Sequence, residues 1–179
     1  KGIDACTCGT GEMFDLEKGR CRACPAGWYG DAEDHLLTDA CRLCPRGTIS
    51  GTGAATCTYC AAGFYADSEG SQECKPCPKG SFNIALGSSA CHQCAAGSYS
   101  ASINSTSCAS CGPGQFSFAG SPGCLACPTG TYSPGGWQTC LPCSPGSYAN
   151  ETGMSVCLNC PAGSEQPASG AESCNVCST

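Results

Sequence analysis

The sequence predicts a small disulfide-rich repeat fold, mostly irregular with brief β pairings and almost no helix, drawn out as a rod of about ten stacked units. Three observations predict it. Cysteine supplies 22 of the 179 residues. Cysteine doublets recur at nearly constant spacing along the chain. Apolar bulk is thin: the hydrophobic content of 41% is raised by Cys and Ala, and the larger apolar residues show neither helical nor strand periodicity. With 25 Gly and 12 Pro, long helices are interrupted. Cross-links must then do what burial does elsewhere.

Such cysteine usage places the chain in an oxidising compartment, secreted or at the cell surface. These residues contain no signal peptide and no transmembrane run. Lys1 opens the chain directly, so the reading is a mature chain or an excised fragment, with any membrane anchor outside it. The net charge of −6 argues against nucleic acid. All eight Lys and Arg lie at or before Lys79, and from Gly80 onward the charged residues are Glu151, Glu165 and Glu172. So uncharged a surface predicts a cover, either attached glycans or copies of the chain itself.

In chain order, residues 1–20 read as an irregular N-terminal cysteine module with Cys6 and Cys8. Residues 21–179 read as tandem CxxC repeats: a long repeat over 21–40, a second segment over 41–73, and regular low-charge repeats over 74–179. Doublets begin at Cys21, Cys41, Cys57, Cys74, Cys91, Cys108, Cys124, Cys140, Cys157 and Cys174. Within the long repeat, Asp31 to Ala40 is compatible with one short helical turn.

Each unit reads C-x-x-C-[PAGS]-x-G-x-aromatic, then a polar stretch. The first glycine, from Gly27 to Gly163, marks a tight turn that needs positive φ or close backbone approach. A second glycine stands four residues before the next doublet. Asn104 replaces it once, and Asn is the residue that next tolerates a left-handed backbone. Tyr29, Tyr65, Phe82, Tyr99, Phe116, Tyr132 and Tyr148 hold the aromatic position, from which Ile49 and Glu165 depart. A unit this short cannot stand alone, so neighbours stack and these rings read as packing groups. The repeats from Cys74 onward are much alike, which predicts no favoured binding site among them.

Three chemistries compete for a CxxC doublet. Zinc would need the doublets paired in fours, which leaves one of eleven over, and His35 and His92 are too few to complete mixed sites. Redox catalysis needs a βαβ scaffold that is not visible. Disulfides remain, and no metal or other cofactor is implied. The simplest ladder joins Cys8–Cys21, Cys24–Cys41, Cys44–Cys57, Cys60–Cys74, Cys77–Cys91, Cys94–Cys108, Cys111–Cys124, Cys127–Cys140, Cys143–Cys157 and Cys160–Cys174. Interlaced pairing of two doublets at a time is the rival. In the chain-entropy account each loop of about 15 residues contributes roughly 3 kcal/mol. The ladder leaves Cys6 and Cys177 without partners, which suggests an intermolecular bond from Cys177 of one copy to Cys6 of the next.

Asn104-Ser-Thr and Asn150-Glu-Thr are N-glycosylation sequons in polar stretches where surface turns are expected. Asn175-Val-Cys fits only a rare variant. Asp31, Glu33, Asp34 and Asp39 read as a solvated acidic loop, since their spacing lacks a calcium loop's pattern. No catalytic constellation or phosphate loop is present, so the chain does not read as an enzyme.

The units CPAGWY, CAAGFY, CPKGSF, CAAGSY and CPTGTY, with their following G-x-x-x-C-x-x-C, resemble the ephrin-receptor-like cysteine-rich repeat. That repeat belongs to the growth-factor-receptor and tumour-necrosis-factor-receptor style of ladder. The resemblance runs from Cys21 to Cys177; the Cys6-x-Cys8 start, the long first repeat and Glu165 depart from it. It implies an elongated extracellular disulfide rod without catalysis. The functional expectation is a glycosylated structural subunit or stalk segment of a fibre or surface coat. The alternative is a receptor or adhesion ectodomain segment that binds a protein ligand through a localised patch on one or two repeats.

Overall fold

The structure, a computed structural model, describes residues 8–30 and 41–177. The chain divides into two compact units, residues 1–77 with 83–91 and residues 78–82 with 92–179. Both are built from short antiparallel hairpins, each closed by a disulfide, and no helix occurs among the described residues.

Local chemistry sets the hairpin. In Pro25-Ala26-Gly27-Trp28 the Trp28 N–H donates to the Pro25 carbonyl at 3.0 Å, and Gly27 has φ +83°. Positive φ at the third residue of a four-residue turn is the type II requirement, which glycine meets without steric cost. The turn hands over to a two-residue strand, Trp28–Tyr29, which pairs antiparallel with Arg42–Leu43 inside the doublet. The Cys44 N–H then closes onto the Gly27 carbonyl at 2.9 Å. Where Ser or Thr follows the glycine, its hydroxyl donates back to the same turn, as Thr48 Oγ1 does to the Pro45 carbonyl at 2.7 Å.

In the first unit Thr48–Ile49 pairs with Thr58–Tyr59, and Phe64–Tyr65 with Lys75–Pro76. The first described hairpin is longer: Glu12–Asp15 pairs with Arg20–Ala23 over four residues. The disulfides of the first unit are Cys8–Cys21, Cys24–Cys41, Cys44–Cys57, Cys60–Cys74 and Cys77–Cys91. Consecutive repeats are tied by backbone hydrogen bonds. Gly47 N–H donates to the Ala66 carbonyl at 2.8 Å, and Gly70 N–H to the Cys44 carbonyl at 2.8 Å. A further contact skips a repeat: a Cβ added at Gly47 would overlap the Gly87 carbonyl.

The second unit repeats this plan. Its hairpins pair Ser81–Phe82 with His92–Gln93, Ser98–Tyr99 with Ala109–Ser110, and Gln115–Phe116 with Leu125–Ala126. Thr131–Tyr132 pairs with Leu141–Pro142, Ser147–Tyr148 with Leu158–Asn159, and Ser164–Glu165 with Asn175–Val176. Its disulfides are Cys94–Cys108, Cys111–Cys124, Cys127–Cys140, Cys143–Cys157 and Cys160–Cys174. Gly114 N–H donates to the Ser133 carbonyl at 2.7 Å, Gly136 N–H to the Cys111 carbonyl at 2.9 Å, and a Cβ at Gly114 would overlap the Gly153 carbonyl.

Full burial falls on cystine sulfur and on the residue after the aromatic. Cys24, Cys44, Cys60, Cys77, Cys94, Cys127 and Cys143 are fully covered, as are Asn83, Ser117 and Ser133. The seven rings at the aromatic position are only half-buried. Each lies on a two-residue strand. The Asp31–Ala40 segment, with its expected helical turn and acidic loop, lies outside the described residues.

Candidate interaction surfaces

The buried position after the aromatic was not singled out from the sequence, because it varies among Ser, Ala, Asn and Gly. Its signal is small size, and where its side chain is polar that group is hydrogen-bonded. Ser50 Oγ donates to the Trp28 carbonyl at 2.9 Å, and Ser117 Oγ to the Ser98 carbonyl at 2.9 Å. Asn83 Nδ2 donates to the Phe64 carbonyl at 2.8 Å, while its Oδ1 accepts from the Ala85 N–H and the Ser88 hydroxyl. Every hydroxyl or amide so buried has a partner, as desolvation requires.

Asn104 lies exposed at φ +53°, the one non-glycine among the described residues with positive φ. It occupies the second-glycine position, and its side chain is open to solvent while Ser105 Oγ pairs with Ser100 Oγ at 2.6 Å. Asn150 is also exposed, two residues beyond Tyr148. Cys177 is an exposed free thiol. Cys6, its expected partner on another copy, lies outside the described residues, as do Asp31, Glu33, Asp34, Asp39 and His35.

Lys75 Nζ lies 2.9 Å from both carboxylate oxygens of Asp67, across the hairpin. This hydrogen bond holds the Asp67 carboxyl below the usual carboxylate range and lifts the Lys75 ammonium above the usual lysine range. Both groups are exposed, so solvent screens the pair. His92 packs tilted against Phe82 at a ring separation of 6.1 Å. Among the described residues no group of three or more His, Cys, Asp or Glu is placed to hold a metal. An open cleft of about 400 Å³ is lined by Met13, Arg22, Pro25, Trp28 and Cys41.

A family model described as tyrosine-protein kinase ephrin type A/B receptor-like covers stretches of the chain built from this hairpin, cystine and paired-glycine unit. That model matches residues 47–90, 82–118 and 130–177, well over half of the chain. The chain belongs to the ephrin-receptor-like repeat family. The matched residues begin after the long repeat, yet the Trp28–Tyr29 and Arg42–Leu43 hairpin there keeps the ephrin-receptor-like pattern. Ephrin-receptor-like repeats are a non-catalytic ectodomain type, and they agree with the ten disulfides in pointing to an extracellular or cell-surface location. No curated protein matches the chain. No helix among the described residues is long and apolar enough to cross a membrane.

Proposed function

We propose that this chain is a structural segment of an extracellular fibre or surface coat, glycosylated at Asn104 and Asn150 and assembling with copies of itself. One observation carries the reading. The repeats are joined mainly by recurring backbone contacts, glycine N–H to carbonyl and in most repeats glycine against glycine, so most exposed side chains stay out of the array's own cohesion, the Thr129–Glu172 hydrogen bond being an exception. An assembly protein needs that division: a uniform scaffold inside and a free surface for packing or sugar. The uncharged run from Gly80 to Asn150 supports it.

Electron microscopy of the native material tests the reading, with filaments or ordered layers as the expected result and dispersed single particles as the refutation. Covalent head-to-tail linkage through Cys177 and Cys6 predicts a ladder of multiples on a non-reducing gel that collapses on reduction. Occupied sequons predict a mass loss at Asn104 and Asn150 on enzymatic deglycosylation. The family match favours a second reading, a receptor or adhesion ectodomain segment with a protein ligand. It predicts dispersed particles and one saturable protein partner.

A further inference from the structure

Trp137 is one of two tryptophans in the chain, and Cys140 stands three residues after it in Trp137-Gln138-Thr139-Cys140. A tryptophan three residues before a cysteine is an acceptor pattern for C-mannosylation, the transfer of a mannose onto indole carbon in the secretory pathway. The other tryptophan, Trp28, has Asp31 at that offset. Ten disulfides and the repeat family both point to the secretory route that such a transfer requires.

A motif carries weight only where its structural context agrees. The backbone at Trp137 is held in place. Its carbonyl accepts from the Ser117 N–H at 3.4 Å, and the residue forms an isolated parallel bridge with Phe116. The Gly136 N–H, one residue earlier, donates to the Cys111 carbonyl at 2.9 Å, and Cys140 is bonded to Cys127. The side chain of Trp137 is left 43% exposed. The repeat packs without an indole here, since Ala54, Ser121, Met154 and Ala171 also follow a second glycine. A sugar on this ring therefore competes with no contact that the repeat requires.

We propose that Trp137 is C-mannosylated. The donor is a mannose linked to a lipid phosphate. The bond from mannose C1 to the phosphate oxygen breaks, and a bond from C1 to indole C2 forms. The C2 proton passes to a base on the transferase, and the lipid phosphate leaves. Indole C2 is itself the nucleophile, so no ionisable side chain of this chain takes part. The sugar hydroxyls add polar surface beside an exposed ring in the run from Gly80 to Asn150, which holds no Asp, Glu, Lys or Arg. The uncharged surface predicts such a cover, and Trp137 attaches it at a place separate from Asn104 and Asn150. The proposal is independent of the assembly reading, because it needs only passage through the secretory pathway.

The test is peptide mass spectrometry of native secreted material after enzymatic N-deglycosylation and alkaline β-elimination. The Trp137 peptide is expected to keep the mass of one hexose and, on fragmentation, to lose part of the sugar ring rather than the whole hexose, because a carbon–carbon bond holds it. The Trp28 peptide is expected to carry none. A second arm moves the motif. Ala54 holds the equivalent bridge position and stands three residues before Cys57. Ala54→Trp, made in cells that C-mannosylate a control protein and checked for ten disulfides, is expected to gain a second hexose of the same kind. An unmodified Trp137 in the native material overturns the proposal, as does a hexose there that either treatment removes. A C-linked hexose on Trp28, or none at position 54 of the Ala54→Trp variant, overturns the role of the tryptophan-to-cysteine spacing.

Discussion

Glycine at the first turn position answers two demands at once. Gly114 has φ +76°, and a Cβ there would overlap the Gly153 carbonyl. Gly114→Ala therefore combines backbone strain with a backbone clash that no rotamer relieves. It should destabilise the second unit by about 2–3 kcal/mol or more. Gly123→Ala, with open space around it and no left-handed φ, should change little. Denaturant melts of the two variants check the contrast. The Asp67–Lys75 pair gives a second residue-scale prediction. The Asp67 pKa is lowered, so its contribution is present above the ordinary carboxylate pKa and fades as pH falls through the lowered value. The Lys75 pKa is raised, so its contribution is present below the ordinary lysine pKa and fades as pH rises through the raised value. In an NMR titration, Lys75→Ala should return the Asp67 midpoint upward to the ordinary carboxylate range.

At the scale of the hairpin, the buried polar residue after the aromatic links one repeat to the one before. Ser117→Ala removes a donor from the Ser98 carbonyl, which should cost about 1 kcal/mol. Asn83→Ala removes three hydrogen bonds from a side chain only 1% exposed and should cost more. Amide exchange should report this locally, with faster exchange at Ala85 N–H in the Asn83 variant and little change two repeats away. The hairpin itself was legible: the doublet spacing, the C-x-x-C-x-x-G turn and the left-handed position at Asn104 all follow from residue type and offset. The buried layer was not. A position filled by Gly, Ser, Ala or Asn carries no apolar signature, and its burial comes from the neighbouring repeat rather than from its own hairpin.

For the molecule as a whole, cross-links and backbone contacts divide the work. Each disulfide closes a loop of 13–17 residues. Replacing Cys111 and Cys124 together by Ser should cost about 3 kcal/mol, and the loss should stay within adjoining repeats because repeats contact only near neighbours. Limited proteolysis should then cut near residues 111–124 and leave fragments with their other disulfides intact. The amino-acid sequence by itself determined the disulfide-repeat class, the unit length and the turn chemistry, because those depend on residue type at fixed short offsets. Tertiary structure alone decided that a glycine in one repeat lies against a glycine two repeats on, as Gly114 does against Gly153. Contacts across 20 to 40 residues depend on how one hairpin is set against the next, and a period read along the chain contains no information about that setting.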